Sequence, residues 1–547
     1  MTLKLHNTLT RKVEDFTPIS DDKVTLYTCG PTVYDYLTVG NWTAYVYWDT
    51  LVRALIASGY QVERVMNLTD VGHLVSDADE GEDKLEKGAA REGKTAWEIA
   101  EYYGKDFLEG MEKLGLLAPE HLVKATDFIP QQLDLIRELK AKGFTYQTTD
   151  GIYFDTSKFS SYADFAQLDL AAQRAGARVE ANDQKRQPWD FALWKFTEPG
   201  TKRDMEWITP DDLLELPASS TAQAGDSVRG GTQNVSSADE SILGADTLAG
   251  PAPSDLRGDS TGIGDNGSGE RLSSESVMGF PGWHLECSAM AMSILGTTID
   301  IHTGGIDHIP VHHTNEIAQS EAASGVRFAN YWLHNNHLKI DGGKISKSLG
   351  NGYTLQDIEK QGYTALDLRM FILQGQYTNE GNFTFENLTA AKNRLANWRN
   401  YAALRHQTHD RLHDDTAKND DSDRYVAINA ATEAIRQALQ DNLNTPEALR
   451  IIDEAFSKLD GLALERIHRA SLVHVIETID EMLGLQLEAS TPDISDEAKR
   501  IIIERQRARE NKNWEASDQL RNKLANIGVQ VNDTPSGTTW SHSIQKS

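Results

Sequence analysis

The sequence has few of the features that stabilise secreted proteins or span membranes. Its 547 residues include two cysteines, Cys29 and Cys287, which excludes a disulfide framework and favours a reducing cytoplasm. No apolar run approaches the roughly 20 residues of a membrane helix. Basic residues number 54 against 82 acidic ones, and the net charge of −28 disfavours indiscriminate binding to nucleic acid. We therefore expect a soluble protein of several domains with no membrane partner.

One segment also lacks aromatic residues. Residues 218–276 contain no Phe, Trp or Tyr, but 10 glycines and 12 serines. Such a segment cannot bury enough apolar surface to offset the entropy of ordering, so we predict that it is disordered. Globular composition returns on both sides, at Trp207 and Phe280. The segment should therefore interrupt one domain rather than link two.

The N-terminal region has the pattern of a nucleotide-binding unit. Residues 23–28 and 61–69 are typical of buried strands, and residues 42–58 between them favour a helix. This is about the length that a parallel crossover needs. Val39, Gly40 and Asn41 come just before the helix, where exposed backbone NH groups can receive phosphate. A glycine in this position is also common in ordinary turns.

Both cysteines lie near other potential metal ligands. Cys29 follows the first strand, and Cys287 precedes His312 and Glu316, which would share one face of a helix. Two thiolates, an imidazole and a carboxylate are suitable ligands for zinc. Spacing alone is equally compatible with two small buried cysteines and an unrelated His/Glu pair.

Two further segments carry positive charge. Residues 341–351 hold Lys344 and Lys347 between glycines, a pattern that could close over a polyphosphate but also fits an exposed basic loop. Near the C-terminus, Arg505 and Arg509 would lie on one helical face, with Trp514 and Trp540 available to stack on RNA bases. The charge pattern of this C-terminal segment alone favours an ordinary solvated helix.

Together these motifs resemble those of cysteinyl-tRNA synthetases, a family of class I aminoacyl-tRNA synthetases. The resemblance runs along essentially the whole chain. It rests on four segments: Cys29-Gly30-Pro31-Thr32-Val33-Tyr34-Asp35, Pro281-Gly282-Trp283-His284-Leu285-Glu286-Cys287, His312-His313-Thr314-Asn315-Glu316 and Lys344-Ile345-Ser346-Lys347-Ser348. It continues through residues 441–446 and 531–540.

The resemblance implies an α/β fold with a doubly wound parallel (Rossmann-type) catalytic sheet. The catalytic domain would span residues 1–345, with a connective insertion at about 115–280 that includes the segment 218–276. Residues 346–400 would contact the tRNA stem and carry the lysine-serine loop, 401–490 would form a helical bundle, and 494–547 would be a small anticodon-binding domain. The adenylate should form at the carboxyl ends of the strands.

The resemblance also implies the reaction and its partners. Cysteine would be activated by ATP with Mg²⁺ to cysteinyl-adenylate and then transferred to the 3′ end of tRNA(Cys). One zinc ion per chain would select the thiol over the hydroxyl of serine. The protein is expected to be a cytoplasmic monomer.

Specific residues would carry these roles. Zinc would be held by Cys29, Cys287, His312 and Glu316. Catalysis would depend on Lys344, Lys347, Thr38 and Asn41. ATP would be bound by Lys347, Gly40, Gly304, Gly305 and Asp307. The cysteine pocket would be lined by Thr69, Trp283 and His302, although Trp283 is equally compatible with the hydrophobic core.

One departure from the family pattern leaves two alternatives open. Thr38 stands where the family usually has a histidine, and neither Thr38 nor Asn41 can carry positive charge. The protein could therefore be a catalytically weak paralogue, although the intact lysine loop argues against this. A related ligase joins cysteine to an amino sugar and ends before the RNA-reading domains, so residues 400–547 argue against that function.

Overall fold

The computed structural model describes residues 2–72, 83–168, 184–215, 276–345, 350–408, 425–534 and 537–542. The predicted disordered segment, except for its last residue, and Lys347 lie outside the described residues. The N-terminal half of the catalytic domain contains, in chain order, β1 (Lys4–Asn7), β2 (Lys12–Asp15), β3 (Lys23–Thr28), α1 (Val39–Ala57), β4 (Gln61–Leu68), α2 (Lys84–Glu92), α3 (Ala96–Lys113), β5 (His121–Lys124) and α4 (Ile129–Ala141). Strands β3 and β4 are parallel and are joined through α1.

An antiparallel sheet follows within the expected connective insertion. Its strands are β6 (Thr145–Gln147), β7 (Gly151–Phe154), β8 (Phe191–Phe196), β9 (Trp207–Ile208) and β10 (Met278–Pro281), in the order β6-β7-β8-β10-β9. Strand β9 precedes residues 216–275 and β10 follows them, yet the two strands pair directly. The Thr209 N–H also donates to the Val277 carbonyl at 2.8 Å. The chain therefore leaves this sheet and returns to it at the same edge.

The chain then completes the catalytic sheet. It passes through α5 (Trp283–Leu295), β11 (Ile299–Gly305), a π-helical turn (Ile309–His313), α6 (Thr314–Ser324), β12 (Ala329–Asn335) and β13 (Leu338–Ile340). The strand order is β12-β11-β3-β4-β5, and every neighbouring pair is parallel. The fold is thus a parallel, Rossmann-like α/β sheet, as expected from the sequence.

Helices cover both faces of this sheet. Alternate strand residues point in opposite directions, so each strand packs side chains against helices on both faces. Leu26 of β3 packs in the same buried cluster as Trp48 and Leu51 of α1. Its neighbour Tyr27 packs on the other face, in the cluster that contains Met290 of α5. Burial on both faces explains why the strands are almost continuously apolar.

The C-terminal part is mainly helical. It contains α7 (Leu355–Lys360), α8 (Ala365–Leu373), β14 (Gly381–Phe383), α9 (Phe385–Ala403), α10 (Ala430–Gln440), α11 (Thr445–Ser457), α12 (Arg469–Leu483), α13 (Leu487–Ser490), α14 (Asp496–Glu510), α15 (Trp514–Asn526), β15 (Val529–Thr534) and β16 (Gly537–His542). Helices α8 to α12 share one apolar core with α1, whereas α14, α15, β15 and β16 form a small separate core. None of the helices in the described part combines the length and apolar composition needed to cross a membrane.

A buried ion-pair network joins the catalytic sheet to the helical bundle. Asp49 of α1 pairs with Arg53 at 2.7 Å and with Arg369 of α8. All three residues are buried. The two guanidinium groups also donate to backbone carbonyls at the end of α3 and the end of α12, namely those of Leu114, Gly115, Asp480, Glu481 and Leu483. Asp49 therefore holds in place two arginines whose hydrogen bonds join α1 and α8 to the ends of α3 and α12.

Candidate active site and metal centre

The largest concentration of predicted site residues surrounds one cavity of about 730 Å³ at the carboxyl ends of β3 and β11. Ligands of open parallel sheets bind at this edge. The predicted residues that line the cavity are Cys29, Thr38, Gly40, Asn41, Thr69, Trp283, Cys287, Gly304, Gly305, Asp307, His312 and Lys344. One end of the cavity contains sulfur and imidazole groups, and the other contains the N-terminus of α1 and Lys344.

The four predicted zinc ligands converge at the first end. Cys29 follows β3, Cys287 lies on α5, and His312 and Glu316 lie on the π-helical turn and α6. One donor atom from each of the four lies within 4.8 Å of the others. Ligands of a single zinc ion lie about 2.0–2.3 Å from it, so their mutual separations stay below roughly 5 Å. The arrangement and chemistry of this donor set therefore fit zinc.

Neighbouring histidines hold these ligands in place. Glu316 pairs through Oε1 with His312 Nε2 at 2.8 Å and through Oε2 with His302 Nε2 at 2.9 Å. His284 Nδ1 lies 3.0 Å from the other ring nitrogen of His312. His313 Nε2 lies 3.4 Å from Cys29 Sγ. A second donor set, formed by Cys29, His302, His313 and Glu316, is equally compact.

The position of His302 corrects one expectation. The residue does not line the described part of the cavity but is fully buried behind Glu316. Its ring stacks on Trp332, with 4.5 Å between ring centroids and an interplanar angle of 14°. His302 lies on the side of β11 that faces the core because strand residues alternate between faces. It therefore orients the carboxylate of Glu316, a predicted zinc ligand, instead of lining the described part of the cavity.

Burial and neighbouring charges shift the pKa values of the clustered side chains. Burial raises the pKa of Cys29, whereas hydrogen bonding from Cys29 and the charge of His312 lower the pKa of Cys287 to about 7. Burial opposes charge on His312, but the Glu316 carboxylate outweighs it and raises the pKa of His312 to about 10. Burial likewise opposes ionisation of Glu316, yet His302 and His312 hold its pKa below the usual value. Without a metal ion, the cluster thus favours a thiolate at Cys287 and a carboxylate at Glu316, whereas Cys29 and His312 must each lose a proton to bind zinc.

At the other end of the cavity, α1 begins with a capping box. Thr38 Oγ1 accepts a hydrogen bond from the Asn41 N–H at 3.4 Å, and Asn41 Oδ1 accepts from the Thr38 N–H at 3.0 Å. The Thr38 hydroxyl also donates to Asn41 Oδ1 at 2.8 Å. The hydroxyl proton of Thr38 is therefore already used within the helix cap. The groups left for an anion here are the helix N-terminus and the Asn41 amide group.

The lysine-bearing segment approaches the same helix end. A Cβ built on Gly40 would lie 2.5 Å from Ile345 Cδ1, so glycine permits this contact. Lys344 lines the cavity next to Ile345. The N-terminus of α1 and Lys344 therefore face one space.

The remaining predicted residues lie between the two ends. Gly304, Gly305 and Asp307 follow one another at the end of β11. Trp283 is partly exposed and stacks on His312, with ring centroids 4.4 Å apart. Thr69 donates to Glu286 Oε2 at 3.1 Å and accepts from Asn67 Nδ2 at 2.9 Å. Trp283 and Thr69 thus form part of the cavity wall near the sulfur atoms.

Comparison with known proteins agrees with this geometry. Residues 15–212 and 266–393 match the family described as tRNA synthetases class I (C) catalytic domain, and residues 491–540 match the cysteinyl-tRNA ligase anticodon binding domain. A cysteine--tRNA ligase of Treponema denticola is 36% identical, with 99% of each chain covered. Cysteine--tRNA ligase 1 of Burkholderia lata is 37% identical over 98% of this chain and 96% of its own. The chain belongs to the cysteine--tRNA ligase family.

Solved structures of other synthetases have a fold similar to that of this chain. Mycobacterium tuberculosis methionyl-tRNA synthetase in complex with methionyl-adenylate superposes with a TM-score of 0.52 at 12% identity, covering 86% of this chain and 93% of the other. A leucyl enzyme, Agrobacterium radiobacter K84 agnB2 LeuRS in a ternary complex, gives a TM-score of 0.54 at 14% identity, covering 88% and 86%. These likenesses establish a class I synthetase fold.

The C-terminal part of this family member differs from the sequence expectation. Trp540 is only 8% exposed and packs in the small C-terminal core, where it is not available to stack on RNA bases. Arg505 is also buried and makes two hydrogen bonds to Asp533, at 2.7 and 2.6 Å. A small domain has few apolar side chains with which to build a core, and Trp540 is the largest of those in this one. Trp514 remains 57% exposed, with Arg509 5.6 Å above its ring.

Sequence reasoning missed the histidines that surround the predicted zinc ligands. His284 and His313 belong to the motifs that carried the resemblance, but His334 lies far along the chain. His334 Nε2 contacts His313 Nδ1 at 2.7 Å, and its other nitrogen contacts Thr8 Oγ1 at 2.7 Å. The His312-His313 doublet was the available signal, because adjacent residues of a helix face different directions.

Proposed function

We propose that this protein activates cysteine with ATP and transfers it to the 3′ end of tRNA(Cys), with a zinc ion selecting the thiol over serine. One observation supports this most directly. Donor atoms of Cys29, Cys287, His312 and Glu316 converge within 4.8 Å, and the first three residues line a cavity whose other end has a helix N-terminus and Lys344. A thiol-selecting group and phosphate-binding groups thus share one site.

The four side chains would hold the zinc ion. When bound, zinc prefers a soft thiolate to a neutral hydroxyl and lowers the pKa of a coordinated thiol. Cysteine and serine are nearly equal in size, so a pocket based on shape would separate them poorly. The donor set therefore explains how the amino acid could be selected at its first binding.

The rest of the site positions the substrates for transfer. The cysteine carboxylate attacks the α-phosphorus of ATP, and pyrophosphate leaves with Mg²⁺. Lys344 and Lys347 draw charge from the triphosphate, while the N-terminus of α1, at Gly40, faces the phosphates. Gly304, Gly305 and Asp307 hold the nucleoside, and Trp283 and Thr69 enclose the amino acid. No protein nucleophile is needed, so catalysis is mainly positioning and charge stabilisation.

Transfer to RNA is the second step. A ribose hydroxyl of the terminal tRNA adenosine attacks the carbonyl carbon of the adenylate and releases AMP. Residues 346–400 contact the tRNA stem, 401–490 support it as a helical bundle, and 494–547 bind the anticodon. Exposed Trp514 beside Arg509 supports the last assignment. The enzyme acts as a monomer in the cytoplasm.

The two alternatives have less support. The amino-sugar ligase ends before the RNA-reading domains, whereas residues 491–540 match an anticodon-binding domain. A catalytically weak paralogue rests on Thr38 alone. The capping box at Thr38 keeps the helix end ordered towards the cavity without a histidine.

Charging of total tRNA tests this proposal. With labelled cysteine, ATP and Mg²⁺, the purified chain should charge tRNA, and it should discriminate against labelled serine by at least on the order of a thousandfold in kcat/KM. The Cys287→Ser variant, which lacks one proposed zinc ligand, is assayed in parallel with the unaltered chain. Equal charging with serine, or cysteine-dependent adenylate formation without transfer to any tRNA, would contradict the proposed function.

A further inference from the structure

His308 lies in the cavity but has no role in the mechanism described above. It ends a 3₁₀ turn, Ile306–His308, that follows β11, and its partly exposed ring lines the cavity. In the described part of the chain its Nδ1 is buried without a hydrogen-bond partner. Because this nitrogen is closed to solvent, a ligand in the cavity would meet the other ring nitrogen, Nε2.

Three aromatic side chains place this ring beside the proposed zinc ligands. The His308 ring centroid lies 5.1 Å from that of His312, 5.1 Å from that of His313 and 6.4 Å from that of Trp283. His308 is therefore next to the position expected for the substrate thiol, on the side of the cavity that also carries Asp307.

Gly304 provides the space for this arrangement. A Cβ at residue 304 would lie 2.8 Å from His308 Nδ1 and 2.5 Å from His313 Cε1. Either contact is too close for a real side chain. The glycine at the end of β11 thus allows two imidazole rings to lie against the backbone, in addition to any contact with the nucleoside.

The chemistry of the substrate indicates what His308 could bind. Cysteine has three polar groups: a thiol, a carboxylate and an α-ammonium group. The thiol belongs at the metal cluster, and the carboxylate must face the α-phosphate, towards α1 and Lys344. The ammonium group is left, and only two carbon atoms separate its nitrogen from the sulfur. A group that binds it must lie close to the metal cluster, as His308 does.

We propose that His308 accepts a hydrogen bond from the α-ammonium group of bound cysteine and so determines specificity for an amino acid over a simple thiol acid. An imidazole ring can accept such a bond through its unprotonated nitrogen, whereas an ammonium group can only donate. This inference rests on the proposed function, since it takes cysteine as the substrate.

Binding of two thiols to the full-length, zinc-loaded chain tests the inference. Cysteine and 3-mercaptopropionate, which has the thiol and carboxylate but no amine, are titrated by calorimetry into the unaltered chain, His308→Leu and His308→Gln. His308→Leu should bind cysteine about tenfold to a hundredfold more weakly, because a hydrogen bond to a charged group is lost. Its affinity for 3-mercaptopropionate should change less than about twofold, and glutamine, which keeps an acceptor, should restore part of the cysteine affinity.

Controls separate this inference from damage to the site. Zinc content is measured for each variant, and His474→Leu, a half-exposed histidine on α12, should bind both thiols like the unaltered chain. Equal weakening of both thiols by His308→Leu, or no weakening of either, would overturn the role of His308. If the unaltered chain binds neither thiol and shows no cysteine-dependent pyrophosphate exchange, the proposed function fails and the inference fails with it. If exchange occurs and only the difference between thiols is missing, the inference alone fails.

Discussion

The Cys287→Ser variant should bind zinc at least about a hundredfold more weakly than the unaltered chain and should lose affinity for cysteine in parallel. Substitutions in the shell around metal ligands already cost about 10- to 100-fold in metal affinity, and a ligand should cost more. A serine hydroxyl stays protonated and is a harder donor than a thiolate. Zinc content after dialysis against a chelator and calorimetry with cysteine measure the two effects.

Ser293→Ala is the matched control for this variant. Ser293 lies on the same helix, α5, but is exposed, and its hydroxyl bonds only locally, to the Met290 carbonyl at 3.1 Å. It should keep zinc and cysteine affinity at the level of the unaltered chain. Full metal content and undiminished discrimination against serine in Cys287→Ser would show that Cys287 is not a ligand.

The Asp49→Asn variant should lower the free energy of unfolding by about 3–5 kcal/mol. Asparagine keeps the shape of the side chain but leaves Arg53 and Arg369 buried without a negative partner. The charges of these two arginines lower the pKa of Asp49 despite the opposing effect of burial. The contribution of Asp49 is therefore present above the ordinary aspartate pKa, about 4, and is lost as the pH falls through the lowered value.

Urea denaturation of Asp49→Asn and, in parallel, of Arg450→Ala compares the stabilisation that comes from a buried ion pair with that from an exposed one. Arg450 of α11 also pairs with two carboxylates, those of Glu447 and Glu454, but its side chain is 53% exposed. Solvent screens such pairs, so the unfolding midpoint of Arg450→Ala should stay close to that of the unaltered chain. If Asp49→Asn shifts the midpoint no more than Arg450→Ala, the network does not stabilise the junction between α1, α8 and α12.

Local patterns predicted much of the catalytic sheet from the sequence. The strand predicted at residues 23–28 has those bounds in the structure, and the second, predicted at 61–69, ends one residue earlier, at Leu68. Apolar, β-branched runs are strong signals because these strands are buried on both faces. The four proposed zinc ligands could be named from motif resemblance, although no local rule brings Cys29 and Cys287 together.

Tertiary packing decided the features that sequence patterns did not predict. Helix α1 begins at Val39, three residues before the predicted start, because Thr38 and Asn41 form a capping box. His312, predicted to share a helix with Glu316, lies instead in the π-helical turn that precedes α6. His302 and Trp540 looked available for ligands, but their exposure depends on which sheet or core covers them, and that is set by residues distant along the chain.

X-ray absorption at the zinc edge tests the central claim most directly, that the metal held by these four side chains binds the substrate thiol. In the free chain, the spectrum should show two sulfur neighbours at about 2.3 Å, from Cys29 and Cys287. Addition of cysteine should raise the number to three, and addition of serine should leave it at two. A purified chain without zinc, or a sulfur number that does not change when cysteine binds, would contradict the account.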